Sequence, residues 1–141
     1  MCLTLGKRQS DLASYKDIFS RAKNEKVTCW KVYSCGNGYL RPACFSSNGI
    51  IKKPGIVKSN RRRKEFTDVE KRGHVVEKGI HVYTNKKMAQ RLWIEDIIIP
   101  VICDIEDLVS CGTYNEAVFM KVRITSRTWK SLFPPKNDKK L

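Results

Sequence analysis

At 141 residues the chain has the length of one domain with a hydrophobic core of its own, and no run approaches the roughly 18 apolar residues a membrane helix needs. Lysine and arginine number 28 against 14 aspartates and glutamates, a formal net charge of +14, which sets a polyanion among the first partners to consider. The opening Met1-Cys2-Leu3-Thr4-Leu5-Gly6-Lys7-Arg8 holds too short an apolar run for a secretory signal, so a cytoplasmic protein with reduced thiols is expected.

In chain order, residues 10–23 are predicted as one short helix, with Leu12, Tyr15, Ile18, Phe19 and Ala22 at helical spacing. Residues 27–33 read as a strand by β-propensity, with Trp30 and Val32 facing inward. Residues 39–45 return as its hairpin partner across the turn at 34–38, and Pro42 places that partner at an edge. Residues 48–67 differ in kind. Gly49, Pro54, Gly55, Ser59 and Asn60 interrupt the segment, and Arg61-Arg62-Arg63-Lys64 are four adjacent cations without an apolar partner. A mobile loop or an edge strand is predicted there.

Residues 74–125 carry the clearest pattern. His74-Val75-Val76 and Ile80-His81-Val82-Tyr83 read as two short paired strands around a turn at Gly79, with Ile80 and Val82 on a core face and His81 and Tyr83 on the other. Thr84 and Asn85 are N-cap residues for a helix from Lys86, in which Met88, Ala89 and Leu92 share a face. Residues 97–103 are so uniformly apolar that a strand buried on both faces is predicted, with Pro100 at an edge or bulge. Residues 104–108 form a tight acidic turn. Residues 117–125 are predicted as one strand, with Val118, Met120, Val122 and Ile124 on one side and Lys121, Arg123 and Thr125 on the other. The tail 134–141 is expected to be disordered. The fold class that follows is α+β: a single domain over residues 1–133 with one mixed, mainly antiparallel sheet of about five or six strands and one or two short helices.

Charge is distributed unevenly. Basic against acidic residues number 8 to 3 in residues 1–50, 10 to 4 in 51–78, 3 to 6 in 79–120 and 7 to 1 in 121–141. The candidate polyanion-binding set is therefore Lys52, Lys53, Lys58, Arg61, Arg62, Arg63, Lys64, Lys71 and Arg72, in and around the basic loop at about 48–67. Few aromatics lie near it, so a grip on phosphates suits it better than a stacking platform, and a solvated loop that keeps the protein soluble is the plain alternative.

The other candidates are weaker. His81 and Tyr83, with His74, share a sheet face that would suit a nucleotide pocket or an acid–base step, against the plainer reading of polar residues on an exposed face. Cys2 would become an N-terminal nucleophile if Met1 were removed. The gaps between Cys29, Cys35, Cys44, Cys103 and Cys111 contain no Cys-x-x-Cys pair, and the Asp104, Glu106, Asp107 spacing lacks the elements of a calcium loop, so neither a metal nor another cofactor is expected.

Met1-Cys2-Leu3, the strand Cys29-Trp30-Lys31-Val32-Tyr33 and the later Gly79-Ile80-His81 followed by a helix together resemble a loose group of small uncharacterised proteins of bacteriophages and some bacteria. Where such relatives show Tyr-Lys-Val, this chain has Lys31-Val32-Tyr33. The resemblance implies a viral accessory protein in the host cytoplasm, and no activity. The function expected from sequence is thus non-enzymatic binding of nucleic acid or another polyanion. The alternatives are a small enzyme or nucleotide-binding protein using the His81/Tyr83 face, and a binder of an acidic protein partner.

Overall fold

A computed structural model of the chain describes residues 3–4, 13–42, 50–59, 75–76, 79–93, 96–112 and 115–134. In chain order its elements begin with β1 (Leu3–Thr4), α1 (Ala13–Arg21), β2 (Lys26–Cys35), β3 (Leu40–Pro42), β4 (Gly55–Lys58), β5 (Val75–Val76) and β6 (Ile80–Tyr83). There follow α2 (Lys86–Leu92), β7 (Ile97–Asp104), a 3-10 turn at Ile105–Asp107, β8 (Leu108–Cys111), β9 (Glu116–Phe119), β10 (Lys121–Ile124) and α3 (Ser126–Leu132).

Eight strands form one sheet, in the order β4-β10-β7-β2-β6-β9-β8 with β3 beside β2, while β1 pairs β5 separately. The α+β class is as expected. The five or six strands are instead eight, every pairing among the described residues is antiparallel rather than mixed, and the one or two helices are three. The cause is physical: β3, β4 and β8 run three or four residues each. Such pieces are too short to display an alternation and are held by their neighbours. The sequence of α3 mixes strong helix formers, Arg127, Lys130 and Leu132, with weaker ones and spans only seven residues. The Thr125 hydroxyl caps it by accepting from the Thr128 N–H at 3.2 Å, and Trp129 and Phe133 stack at 4.8 Å on the side packed toward the core.

The sheet is organised around β2. One edge pairs β7 from Lys26↔Asp104 to Tyr33↔Ile97, and the other carries β6 at Trp30↔Tyr83 and β3 beyond it. β9 and β10 are one strand interrupted at Met120: β9 lies between β6 and β8, and β10 between β7 and β4. The pairing therefore runs from β2 to β7 and β10, through Met120 into β9, then to β6 and back to β2. This is a closed circuit, as in a small barrel.

Met120 fixes that closure from both sides. Its N–H donates to the Asp107 carbonyl and its own carbonyl accepts from the Ser59 N–H, each at 2.8 Å. The interruption also moves the alternation by one residue. Ala117 and Phe119 face the main core before it, and Val122 and Ile124 after it. An unbroken strand over 117–125, as expected, would have set Val118 on the same face as Val122 and Ile124; instead Phe119 joins them in the main core, while Val118 is buried on the opposite face of β9.

Val27, Cys29 and Tyr33 of β2 join Ile80, Val82, Ile99, Val101, Cys103 and Phe119 in the core, with Ile18 of α1 closing it. Trp30 and Val32, expected inward, lie on the opposite face. Val32 packs with Tyr83 and Ala89 beneath α2, and Trp30 lies below the Arg21 guanidinium, 5.5 Å from its ring. Both faces of β2 bear apolar side chains, so alternation alone does not choose between them.

β7 is likewise buried on one face rather than two, since Pro100 is exposed and Ile102 is half-buried. Pro100 stands opposite Trp30 and has a paired neighbour on the β2 side alone, so the strand is locally an edge at the proline, as expected. A proline fits there when its nitrogen faces away from β2, and the ladder with β10 is confined to Ile102↔Arg123, short of Pro100. β5 pairs Leu3↔Val76 and Thr4↔Val75 with β1, so the expected hairpin between residues 75–76 and β6 is not formed. No described helix is long and apolar enough to cross a membrane.

Candidate functional site

Side chains that alternate along β2, β7, β10 and β4 place one set inward and the other on a shared outer face. The register aligns that outer set in rows running across the strands. One row is Thr28, Ile102, Arg123 and Ile56; the adjacent row is Lys26, Asp104, Lys121 and Lys58. Neighbouring strands lie about 4.8 Å apart, so each row spans about 14 Å. Lys58 and Lys121 are directly opposite one another, two like charges on adjacent strands.

A depression of about 190 Å³ opens on these rows, lined by Lys26, Ile56, Ile102, Asp104, Lys121 and Arg123. A wider one of about 570 Å³ lies beside it along the end of α1, lined by Arg21, Lys23, Lys26, Thr28 and Ile102 among others. The two share Lys26 and Ile102 and so form one furrow from β4 to α1.

Three carboxylates temper this basic surface. The Lys26 ammonium donates to Asp104 at 2.6 Å, Lys121 stands 3.9 Å from Asp107, and Arg21 pairs with Asp17 at 3.0 Å. Asp104 is held below the usual carboxylate range by the Lys26 hydrogen bond, with Lys121 and Arg123 adding their fields. Lys58 and Arg123 are exposed on the same face. Asp104, Glu106 and Asp107 do cluster, with ligand atoms within 4.8 Å of one another, but Asp104 and Asp107 face the chain's own lysines.

Arg21 is fixed at the α1 end of the furrow. Besides Asp17 it donates to the Thr28 carbonyl at 2.8 Å and the Thr84 carbonyl at 3.0 Å, and its plane lies over Trp30. The helix is thereby tied to β2 and to the end of β6.

Of the residues singled out from sequence, Lys58 lies on the furrow's β4 rim, and Lys52 and Lys53 are exposed in the turn that leads into β4. Arg61, Arg62, Arg63, Lys64, Lys71 and Arg72 lie outside the described residues, as do Cys2 and His74. The structure adds Lys26, Lys121 and Arg123 on the sheet face and Arg21 at the end of α1. Lys121 and Arg123 were visible as the outward side of a strand, but register with β4 and β7 is a long-range fact that one strand's pattern does not contain.

The His81/Tyr83 face is occupied differently. The Tyr83 hydroxyl accepts from the Trp93 indole N–H at 2.9 Å, and its ring is buried under α2. His81 Nδ1 lies 3.3 Å from the Gly79 carbonyl. Glu116, which the sequence reading passed over, stands directly across from Tyr83, is 4% exposed, and has its carboxyl pushed up to about 7 by burial. Neither His81 nor Tyr83 lines the furrow.

The thiols of Cys29, Cys103 and Cys111 are free and buried, and burial pushes Cys103 upward and Cys111 to about 12. Such thiols are inert packing groups at neutral pH. Compared with protein-family models, with curated proteins and with solved structures, the chain matches none.

Proposed function

We propose that the protein is a non-enzymatic binder of nucleic acid, gripping the phosphate backbone in the furrow across β4, β10, β7 and β2. One observation carries this: Lys26 of β2, Lys121 and Arg123 of β10 and Lys58 of β4 stand in neighbouring rows across one sheet face, Lys58 directly opposite Lys121, with β7 between β2 and β10 contributing Ile102 and Asp104. Like charges directly opposite one another destabilise a sheet, and an anion between them reverses the sign.

The Arg61-Arg62-Arg63-Lys64 run begins three residues beyond Lys58 in the sequence. That run, with Lys71 and Arg72, extends the proposed grip. The free buried thiols suit a reducing compartment such as the cytoplasm, and the accessory role in a phage-type setting is carried by the Met1-Cys2-Leu3 and Gly79-Ile80-His81 resemblance. The enzymatic alternative has less support, because the Tyr83 hydroxyl is engaged by Trp93.

The test is a salt titration of binding to random-sequence single strands and duplexes. Replacing Lys58 and Arg123 together by Gln removes two phosphate contacts and should flatten the slope of log K against log salt by about 1.4 for single strands or 1.8 for duplex. Replacing residues 61–64 by neutral side chains should flatten it further. A slope unchanged in both variants would end the proposal, as would tight binding that ignores salt.

A further inference from the structure

We infer that the furrow takes single-stranded rather than duplex nucleic acid; this rests on the reading just given and specifies its ligand. Four features point the same way.

The first is the mixing of aliphatic side chains with the cations. Ile56 is 59% exposed, it stands directly opposite Arg123, and Arg123 stands directly opposite Ile102. A phosphate backbone needs only the cations, and a duplex, with its bases stacked inside, would leave the isoleucines wet. Unstacked bases present flat apolar faces that cover such side chains.

The second is the arrangement in lines. The row of Lys26, Asp104, Lys121 and Lys58, three cations with one carboxylate that Lys26 already pairs, lies two residues along the strands from the row of Ile102, Arg123 and Ile56, a separation of about 6.8 Å. A line for phosphates and a line for bases therefore run side by side across the sheet.

The third is Arg21. Its guanidinium is locked by Asp17 and by the Thr28 and Thr84 carbonyls and backed by Trp30, and it lines the furrow at the α1 end. A planar cation held in this way is a surface on which a base stacks.

The fourth is shape. Duplex readers send a helix or a β-ribbon into a groove, whereas this site is recessed into a sheet face, which admits a thin flexible strand.

The experiment measures fluorescence anisotropy of a labelled oligothymidylate of about twelve nucleotides, a length within the footprint of small β-sheet binders, against a mixed-sequence duplex of equal length. Salt is varied between about 50 and 200 mM, where backbone contacts are most sensitive. The single strand should bind at least about tenfold more tightly than the duplex at matched salt, the discrimination expected when bases as well as phosphates are held. Ile56→Ser should weaken the single strand about fivefold, the effect of losing one partly covered aliphatic side chain, without changing the salt slope or duplex binding. Ile56→Trp should tighten it severalfold by adding a stacking surface.

Equal or tighter duplex binding would overturn the inference, and so would oligothymidylate affinity indifferent to both Ile56 variants. Should neither nucleic acid bind with a salt-dependent affinity, the polyanion reading itself fails, a result distinct from the first two. Thermal melts of both variants confirm that this exposed position on an edge strand leaves the fold intact.

Discussion

The Tyr33 hydroxyl lies in the core with no hydrogen-bond partner among the described residues, and burial pushes its pKa upward. A buried hydroxyl without a partner retains the cost of leaving water while its ring contributes the packing. Tyr33→Phe keeps the ring and removes the cost, so it should raise unfolding free energy by about 1 kcal/mol; a loss of stability in urea titration would show that the hydroxyl has a partner in solution. Glu116 poses the complementary case. Its carboxyl is buried and pushed up to about 7 from an ordinary 4.5. Between those values the folded chain keeps a proton that the unfolded chain has lost, so this group lowers stability as pH rises from about 4.5 to 7 and keeps it lowered above that. Glu116→Gln should therefore match the wild type near pH 4.5 and exceed it by about 3 kcal/mol at pH 8. A difference independent of pH would mean that the carboxyl is solvated in the fold. Neither residue announced its role in sequence: Tyr33 read as one more strand aromatic, and Glu116 as one acidic residue in an acidic stretch.

Among the elements, α2 was the most legible, because its signals are local. Asn85 accepts from the Lys87 and Met88 N–H groups at 2.9 and 3.2 Å, and Ala89 and Met88 turn toward Val32, Tyr83 and Ile98. Asn85→Ala should cost about 1 kcal/mol, with the loss visible both in the helical circular dichroism signal and in global unfolding, since α2 covers part of β2. If the helix signal weakens while global stability holds, α2 frays independently of the sheet. The pieces that escaped the sequence reading depend on partners far along the chain. β4 exists because Ile56 and Lys58 find Arg123 and Lys121. The break at Met120 exists because Asp107 and Ser59 take its backbone groups, and the pairing of Val75–Val76 with Leu3–Thr4 joins segments some seventy residues apart. Alternation within one strand carries none of that information. For the same reason the sequence disclosed a basic protein and Lys58, but not the furrow.

At the scale of the whole molecule, a chain with 28 basic and 14 acidic residues folds against its own charge. The sheet brings some of that charge together instead of dispersing it, and Lys58 of the edge strand β4 opposite Lys121 is the clearest case. A pair placed there only for solubility would gain nothing from adjacency, since dispersed lysines keep a protein soluble equally well. A binding surface, by contrast, carries repulsion in the free state that a ligand relieves. The two roles separate by sign. Lys58→Gln should stabilise the free protein at low salt by about 0.3–0.5 kcal/mol, a rise of about 1–2 °C in Tm for a domain of this size. The gain should fade as salt screens the pair, while the same substitution weakens binding to oligothymidylate and flattens its salt slope by about 0.7. Melting curves and anisotropy on one preparation decide between the roles. Gained stability with lost affinity is the mark of a site held ready for a polyanion; lost stability would make Lys58 a structural residue whose charge the fold itself uses.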